Sequence, residues 1–203
     1  MAKVYELEGV KPVIHPSAFV HPDAVLIGDV VVGANCYIGP CASLRGDFGP
    51  IRVGDGANIQ DHCMLHSFPG AGCHVKENGH VGHGAVLHGC TVEANGFVGM
   101  NSVVMDGAVI GSQAMVAAMA FVKAAFEVPP KALVAGMPAK VVKIMDDQQI
   151  EWMSNGPREY QQLVQRCNAE LKLCEPLTEL EQNRPSLKIP ATASKALHET
   201  RKA

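Results

Sequence analysis

The chain has 203 residues, of which 47% are hydrophobic and 5% aromatic, and its formal net charge is −3. This length suits one domain with a small appendage, and the lack of a basic run argues against nucleic acid or an anionic membrane surface as a partner. Because no signal-peptide core and no 18-residue apolar run is present, we expect a cytoplasmic protein that is neither exported nor membrane-spanning. Seven cysteines without a C-x-x-C pair are expected to be reduced thiols.

An aliphatic residue recurs about every six positions through most of the chain. The series pauses at three extra residues in DFGPIRVGDG and again at the segment SFPGAGCH. Its members are Ile14, Val20, Leu26, Val32, Ile38, Leu44, Val53, Ile59, Leu65, Val75, Val81, Leu87, Val92, Val98, Val104, Ile110, Val116 and Val122.

This six-residue period predicts a parallel β-helix. Each unit supplies a strand of about three residues and a corner, and three units close one triangular coil. Each aliphatic side chain then stacks on its counterpart in the next coil, at the strand spacing of about 4.8 Å. In a β-sandwich, apolar and polar residues would alternate with period two along each strand, and this series shows no such alternation. We therefore predict a β-helix of about six coils (roughly one per 18 residues) over residues 1–128.

The regular hexads end near Val128. Residues 129–145 are rich in proline and are predicted to form a segment that leaves the coil, and residues 146–175 are predicted to form helices that pack on it. Asp146 can cap the first helix, and Pro157 suits the first turn of a second. The apolar stripe of that second helix consists of Tyr160, Leu163, Val164, Cys167 and Leu171. Residues 176–203 are predicted to form an extended polar tail.

The hexad register gives positions to the histidines. Residues that follow the inward leucines of three consecutive coils point outwards in one stack, and these are Arg45, His66 and His88. On the preceding face, the outward position and the corner position after it hold Gln60, Asp61 and His83. His83 is therefore expected around a corner from His66 and His88.

Packing of three such prisms about a threefold axis would bring these histidines together. The face with His66 and His88 would meet the neighbour's face with His83, which gives three imidazoles and an open position for water, as in a hydrolytic zinc site. Fe2+ or Co2+ would also suit three histidines and water. Chance proximity of exposed corner histidines is the alternative. His62, His74 and His80 are the rival ligands because they are close in sequence, but their registers place them at corners or elsewhere on the coil. His15 and His21 are expected at corners, and His198 lies in the tail.

The segments SLRGDFGPIRVGDGANIQDHCMLHSF and VGHGAVLHGCTVEANGFVGMNSVVMDGAVIG resemble the γ-class carbonic anhydrase family. Within it, the chain is most similar to the PaaY and CaiE groups of phenylacetate and carnitine metabolism, over residues 10–185. The resemblance implies a left-handed β-helix and a homotrimer with sites between subunits. It also implies a zinc ion bound by His66, His83 and His88.

Further site residues are carried over by motif, and these are Gln60, Arg45, Asp61, Asp47, Asn58 and Tyr160. The resemblance implies that Gln60 orients metal-bound water, with Asn58 beside it. It implies that Arg45, in the family's R-x-D with Asp47, pairs with Asp61 across the interface. It also implies that Tyr160 reaches the site from a helix.

The chain departs from the carbonic anhydrases at one position that bears on activity. Phe48 stands where their prototype has a glutamate, and the loop SFPGAGCH lacks acidic proton-shuttle residues. Because fast CO2 hydration needs proton export, the resemblance favours a PaaY-like, zinc-dependent hydrolase of an aromatic acyl-CoA. The alternatives are a γ-class carbonic anhydrase, a hexapeptide acyltransferase and a non-catalytic accessory trimer.

Overall fold

The computed structural model describes residues 2–187, which form a left-handed parallel β-helix and one C-terminal helix. The end of the predicted tail, with His198, lies outside the described residues. The elements in chain order are β1 (Lys3–Tyr5), β2 (Val13–Ile14), β3 (Phe19–Val20), β4 (Val25–Val32), β5 (Tyr37–Ile38), β6 (Ser43–Val53), β7 (Asn58–Ile59), β8 (Met64–His66), β9 (Cys73–Val75), β10 (His80–Val81), β11 (Val86–His88), β12 (Thr91–Val92), β13 (Phe97–Val98), β14 (Val103–Val104), β15 (Val109–Ile110), β16 (Met115–Val116), β17 (Phe121–Val122), β18 (Glu127–Val128), β19 (Ala132–Gly136), β20 (Ala139–Ile144) and α1 (Asp147–Glu170).

The strands stack into three faces. The histidine face consists of β8, β11, β14 and β17, and the third face consists of β9, β12, β15 and β18. The long strands β4 and β6 run around the corner between these two faces. The helix face consists of the parallel strands β3, β5, β7, β10, β13, β16 and β19. Its strands mark about seven coils, where the sequence predicted about six.

The hexad series forms the core. From Leu26 to Val122, every aliphatic residue of the series is at most 3% exposed, and Leu65 pairs in register with Leu87 one coil later. Ile14 and Val20, in the first coil, are only partly buried. Each fully buried leucine or valine contributes about 1.5–3 kcal/mol, so stacking along the coil axis is the main source of stability.

Corners of the coil need a residue in the left-handed region, which asparagine tolerates better than most residues. Asn35, Asn78, Asn95 and Asn101 supply it, with φ between 53° and 59°. His62 occupies such a corner with φ 58° and is exposed. His62 is therefore a corner residue, as the register predicted.

The segment after Val128 remains part of the coil for longer than the sequence indicated. β19 pairs in parallel with β16 and so adds a last strand to the helix face. The chain then turns through a cis Met137–Pro138 bond and returns antiparallel as β20. Residues 129–145 are thus a strand and a return strand, because the inward pattern continues at Ala132 and Val134, both fully buried.

A single helix replaces the two helices that were predicted. α1 runs from Asp147 to Glu170, and its N-cap Asp146 forms a capping box with Gln149, as the position of Asp146 indicated. Pro157 lies inside the helix instead of starting a new one. The helix continues through it because Ile150 and Met153 before it, and Val164 after it, are buried along one side. That burial outweighs the roughly 3 kcal/mol that an internal proline costs.

The apolar stripe of α1 packs on the helix face. Tyr160, Leu163, Val164 and Cys167 contact Phe19 and Tyr37, which belong to β3 and β5. The sequence predicted Leu171 as part of the stripe, but it is the C-cap of α1 and is 53% exposed, so it lies outside the stripe.

Four cysteines belong to the interior of the coil: Cys36, Cys63, Cys73 and Cys90. Burial raises the pKa of the Cys36 and Cys63 thiols to about 11, which suits packing and not nucleophilic chemistry. Between residues 2 and 187, no helix has the length and apolar character needed to cross a membrane.

Candidate metal centre

Two of the predicted ligands lie side by side on the histidine face. His66 ends β8 and His88 ends β11, and the two residues are paired in register on adjacent coils. Nδ1 of His66 lies 3.2 Å from Nε2 of His88, and the ring centroids are 5.2 Å apart. The predicted stacking of these two rings is therefore present in the fold.

Each of the two rings is backed by a carboxylate on its far side. Nε2 of His66 lies 2.9 Å from Oδ1 of Asp47, and Nδ1 of His88 lies 2.7 Å from Oδ1 of Asp106. A neutral histidine has one N–H, and a carboxylate can only accept. When both rings donate to their carboxylates, the two nitrogens that face each other are both lone-pair acceptors, and a cation between them would stabilise the pair.

Asp106 was not foreseen from the sequence. It follows β14 on the next coil and lies 18 residues after His88, which is one full coil. That spacing was a usable signal, because residues one coil apart stack. Arg45 completes the row at the other end, with its Nη1 2.6 Å from Oδ2 of Asp47. The row is Arg45, Asp47, His66, His88 and Asp106.

His83 lies apart from this row, at the corner that follows β10. Its Nδ1 is 2.8 Å from Oδ2 of Asp61, the residue at the equivalent corner one coil earlier, and its side chain is 46% exposed. Among residues 2–187 of one chain, no three His, Cys, Asp or Glu side chains are grouped closely enough to hold a metal ion. A single subunit therefore offers a pair of histidines at one place and a third histidine at another.

Gln60 was expected to point outwards, but it is buried. Only 2% of it is exposed, and Asn58 beside it is fully buried. Nε2 of Gln60 donates to Oδ1 of Asn58 and lies 2.9 Å from Nε2 of His80, and its Oε1 accepts the backbone N–H of His83 at 3.2 Å. The side-chain amide of Gln60 is thus held by three protein groups.

His80 is a member of this network that sequence reasoning did not place. Its ring is stacked on Phe97 with centroids 4.1 Å apart and lies edge-on to Tyr160 at 5.7 Å. Burial, with a smaller contribution from His83, lowers the pKa of His80 to about 3, so the ring is neutral at ordinary pH. Because Gln60 donates to Nε2, the proton of His80 is on Nδ1.

Two buried donors in this network have no hydrogen-bond partner among the described residues: Nδ1 of His80 and Nδ2 of Asn58. An unsatisfied buried donor typically costs about 1–3 kcal/mol. An apolar side chain at position 80 could stack on Phe97 and would avoid that cost. Packing alone therefore does not account for a histidine there.

Tyr160, which the resemblance implies reaches the site from a helix, packs between α1 and the helix face. Its ring packs on Tyr37 and His80 at centroid distances of 5.1 and 5.7 Å. Burial, followed by the negative charge of Asp61, raises the pKa of the Tyr160 hydroxyl. It is therefore a neutral phenol close to the corner that holds Asp61.

Two exposed aromatic side chains flank the paired histidines. The ring centroid of Phe48 is 5.3 Å from that of His66, and the ring of Phe68 lies edge-on to His88 at 5.2 Å. Phe48 and Phe68 are 56% and 59% exposed. Both come from the two stretches that interrupt the hexad series, so the insertions add apolar walls beside the histidines.

Comparison with known proteins shows that the chain is similar to hexapeptide-repeat proteins. The sequence pattern described as bacterial transferase hexapeptide (six repeats) matches residues 11–46. In structure, the chain is similar to a candidate acetyltransferase of Bacillus cereus, with 33% identity over 83% of this chain and 98% of that one and a TM-score of 0.81. A hexapeptide transferase family protein from Anaplasma phagocytophilum gives a TM-score of 0.77 at 34% identity, over 81% of this chain and 97% of that one.

Curated relatives define the family more narrowly. The carnitine operon protein CaiE of Escherichia coli K12 is 54% identical over 90% of this chain and 93% of its own length. The CaiE protein of Proteus sp. strain LE138 is 52% identical over 91% of this chain and 94% of its own. The chain belongs to the hexapeptide-repeat family that contains CaiE, and the predicted resemblance to CaiE is confirmed.

Proposed function

We propose that the protein is a zinc-dependent hydrolase of acyl-CoA thioesters that acts as a homotrimer with its sites between subunits. The observation that carries the proposal is the pair of facing acceptors, Nδ1 of His66 and Nε2 of His88, each ring backed by a carboxylate.

The geometry of the pair fits a metal ion. Zn–N bonds of 2.0–2.1 Å at a tetrahedral angle separate two ligand nitrogens by about 3.3 Å, close to the 3.2 Å found between His66 and His88. Histidine ligands commonly donate their other N–H to a carboxylate, which fixes the tautomer and makes the ligand more basic. Asp47 and Asp106 are in position to do this.

The third ligand is proposed to be His83 of a neighbouring subunit. Its Nδ1 is bonded to Asp61, so its Nε2 is left as the coordinating atom, and nearly half of its side chain is exposed at a corner. The ring of His83 thus has a carboxylate at one nitrogen, as the rings of His66 and His88 do, but it points to a different surface. Threefold packing would combine the two parts of the site.

The bound metal would act as a Lewis acid towards a carbonyl and would lower the pKa of water to about 7. The protein's own groups would hold the site in shape. Arg45 fixes Asp47 and thereby the ring of His66, and Asp61 fixes the ring of His83. Gln60, Asn58 and Tyr160 form the buried support behind the His83 corner.

The flanking aromatics favour an acyl substrate over CO2. Phe48 and Phe68 present apolar surface next to the histidine pair, which suits the acyl group of a thioester, and phenylacetate-type aromatic acyl groups most of all. Phe48 and Phe68, which lie beside the histidine pair, cannot carry protons. Carbonic anhydrase activity is therefore ranked second.

Hexapeptide acyl transfer is a further candidate, because the matching sequence pattern and the similar Anaplasma protein both bear the transferase description. It differs from hydrolysis in needing an acceptor and no metal. The non-enzymatic alternative is an accessory trimer without catalytic function.

One experiment separates these functions. Purified protein is stripped of metal, reloaded with zinc, and assayed for phenylacetyl-CoA hydrolysis and, by stopped flow, for CO2 hydration. We expect zinc-dependent release of CoA without an added acceptor, and its loss in His83→Ala. CO2 turnover without thioester hydrolysis would favour carbonic anhydrase, and CoA release that requires an acceptor but no metal would favour acyl transfer.

A further inference from the structure

The buried network beneath α1 connects the helix to a proposed metal ligand. His83 belongs to a corner loop with an exposed side chain, and three groups of the same chain hold it. Its carbonyl oxygen accepts the backbone N–H of Asn101 at 2.9 Å. Asp61 holds its ring, and Oε1 of Gln60 accepts its backbone N–H. The amide of Gln60 therefore helps to hold the His83 backbone in place.

His80 in turn anchors the amide of Gln60. Nε2 of Gln60 donates both of its hydrogens, one to Asn58 and one to the unprotonated nitrogen of His80. If the amide turned over, its NH2 group would face the N–H of His83, and two donors would meet. The N–H of His83 thus fixes the direction of the amide oxygen, and the acceptor nitrogen of His80 anchors the other end of the amide.

The ring of His80 is itself held rigidly. Phe97 stacks on one side with an interplanar angle of 9°, and Tyr160 lies against its edge. On the helix, a Cβ at Gly156 would lie 3.0 Å from Cε1 and Nδ1 of the ring, so the residue there has to be small for the helix to close over His80.

We infer that His80 is a positioning residue for the metal site: through Gln60 it helps to fix the corner that presents His83. This inference rests on the proposed metal site. This role would explain why position 80 holds a histidine, because stacking on Phe97 alone does not require one.

The test compares His80→Leu with His80→Gln. The leucine keeps an apolar side chain of similar size but offers no acceptor to Gln60, whereas the glutamine can place an amide oxygen near the site of Nε2. Zinc affinity is measured by competition with a chromophoric chelator, trimer mass by light scattering, and the unfolding midpoint by thermal denaturation. Groups that orient metal ligands typically change affinity by about 10–100-fold, so we expect about tenfold weaker zinc binding in His80→Leu and recovery of most of it in His80→Gln.

The outcomes separate this inference from the proposed function. If His80→Leu lowers only the unfolding midpoint and binds zinc as wild type does, the positioning role is wrong while the metal site stands. If wild-type trimer binds no zinc, the proposed function fails first. Should His80→Leu not fold, Gln60→Met removes the acceptor for His83 without disturbing the Phe97 stack, and unchanged zinc affinity in that variant would overturn the inference.

Discussion

Nδ1 of His66 and Nε2 of His88 face each other across 3.2 Å, on adjacent strands and in register. Their outer nitrogens are already engaged by Asp47 and Asp106. This relationship follows directly from the coil, because residues one coil apart are held at the strand spacing. A pair of side chains on a β-helix is therefore preorganised by backbone hydrogen bonds, and we expect the affinity of the pair for zinc to depend on the carboxylates behind it.

Asp106→Asn tests that dependence. The amide keeps the shape of the side chain but loses the charge that makes His88 a stronger ligand, so zinc affinity should fall by about 10–100-fold. Chelator competition measures it. Asp23→Asn, which alters an exposed carboxylate far from the row, is the matched control and should leave the affinity unchanged. Equal affinities in the two variants would remove Asp106 from the site.

Phe48 and Phe68 are expected to contribute to acyl recognition. Phe48→Ala and Phe68→Ala should each raise KM for phenylacetyl-CoA several-fold, since a buried aromatic contact is worth about 0.5–1.5 kcal/mol beyond its area. The effect on acetyl-CoA should be smaller, because acetyl has little surface to contact. Steady-state kinetics with both substrates provide the comparison, and zinc content should stay at the wild-type level. A uniform loss on both substrates would argue against acyl recognition.

Asp61→Ala should weaken metal binding and trimer formation together. Asp61 holds the ring of His83, and it is also the predicted partner of Arg45 in the adjacent subunit. Removing the carboxylate takes away both contacts. Light scattering and metal analysis on the same sample check both effects, and circular dichroism should show an intact β-helix. Full trimer and full zinc content would contradict the predicted role.

Acid should destabilise the protein through His80. Its pKa is lowered to about 3 by burial, whereas an unfolded histidine titrates near 6.5, so the unfolded chain binds the extra proton between these values. The stabilising effect of the neutral ring is complete above pH 6.5 and is lost as the pH falls towards 3. Urea unfolding at pH 7 and pH 5 should show a steeper loss of stability in wild type than in His80→Gln. Parallel losses would show that another group controls acid stability.

The hexad series predicted the coil and the pairing of His66 with His88 because inward aliphatic residues define the register without any tertiary information. It could not show the network of Gln60, Asn58 and His80. That network depends on a helix far along the chain covering the helix face, and the local pattern around Gln60 is the same as at outward positions that remain in solvent.

The single helix illustrates the same limit. Pro157 was interpreted as a helix start because proline is most common there, yet burial of Ile150, Met153 and Val164 on one side keeps the helix continuous. Asp106 was missed for a different reason. Its spacing of one coil from His88 is visible in the sequence, but spacing alone does not show that the carboxylate contacts the ring.

Mixing of two inactive variants tests the shared site most directly. His66→Ala subunits keep His83, and His83→Ala subunits keep His66 and His88, so neither trimer alone has a complete site. When the two are co-expressed in equal amounts, random assembly should complete about one quarter of the interfaces. Elemental analysis of the mixed trimers should then find about a quarter of the zinc bound by wild type, with thioester hydrolysis restored in proportion. Wild type that holds zinc, together with mixed trimers that hold none, would contradict a site built from two subunits.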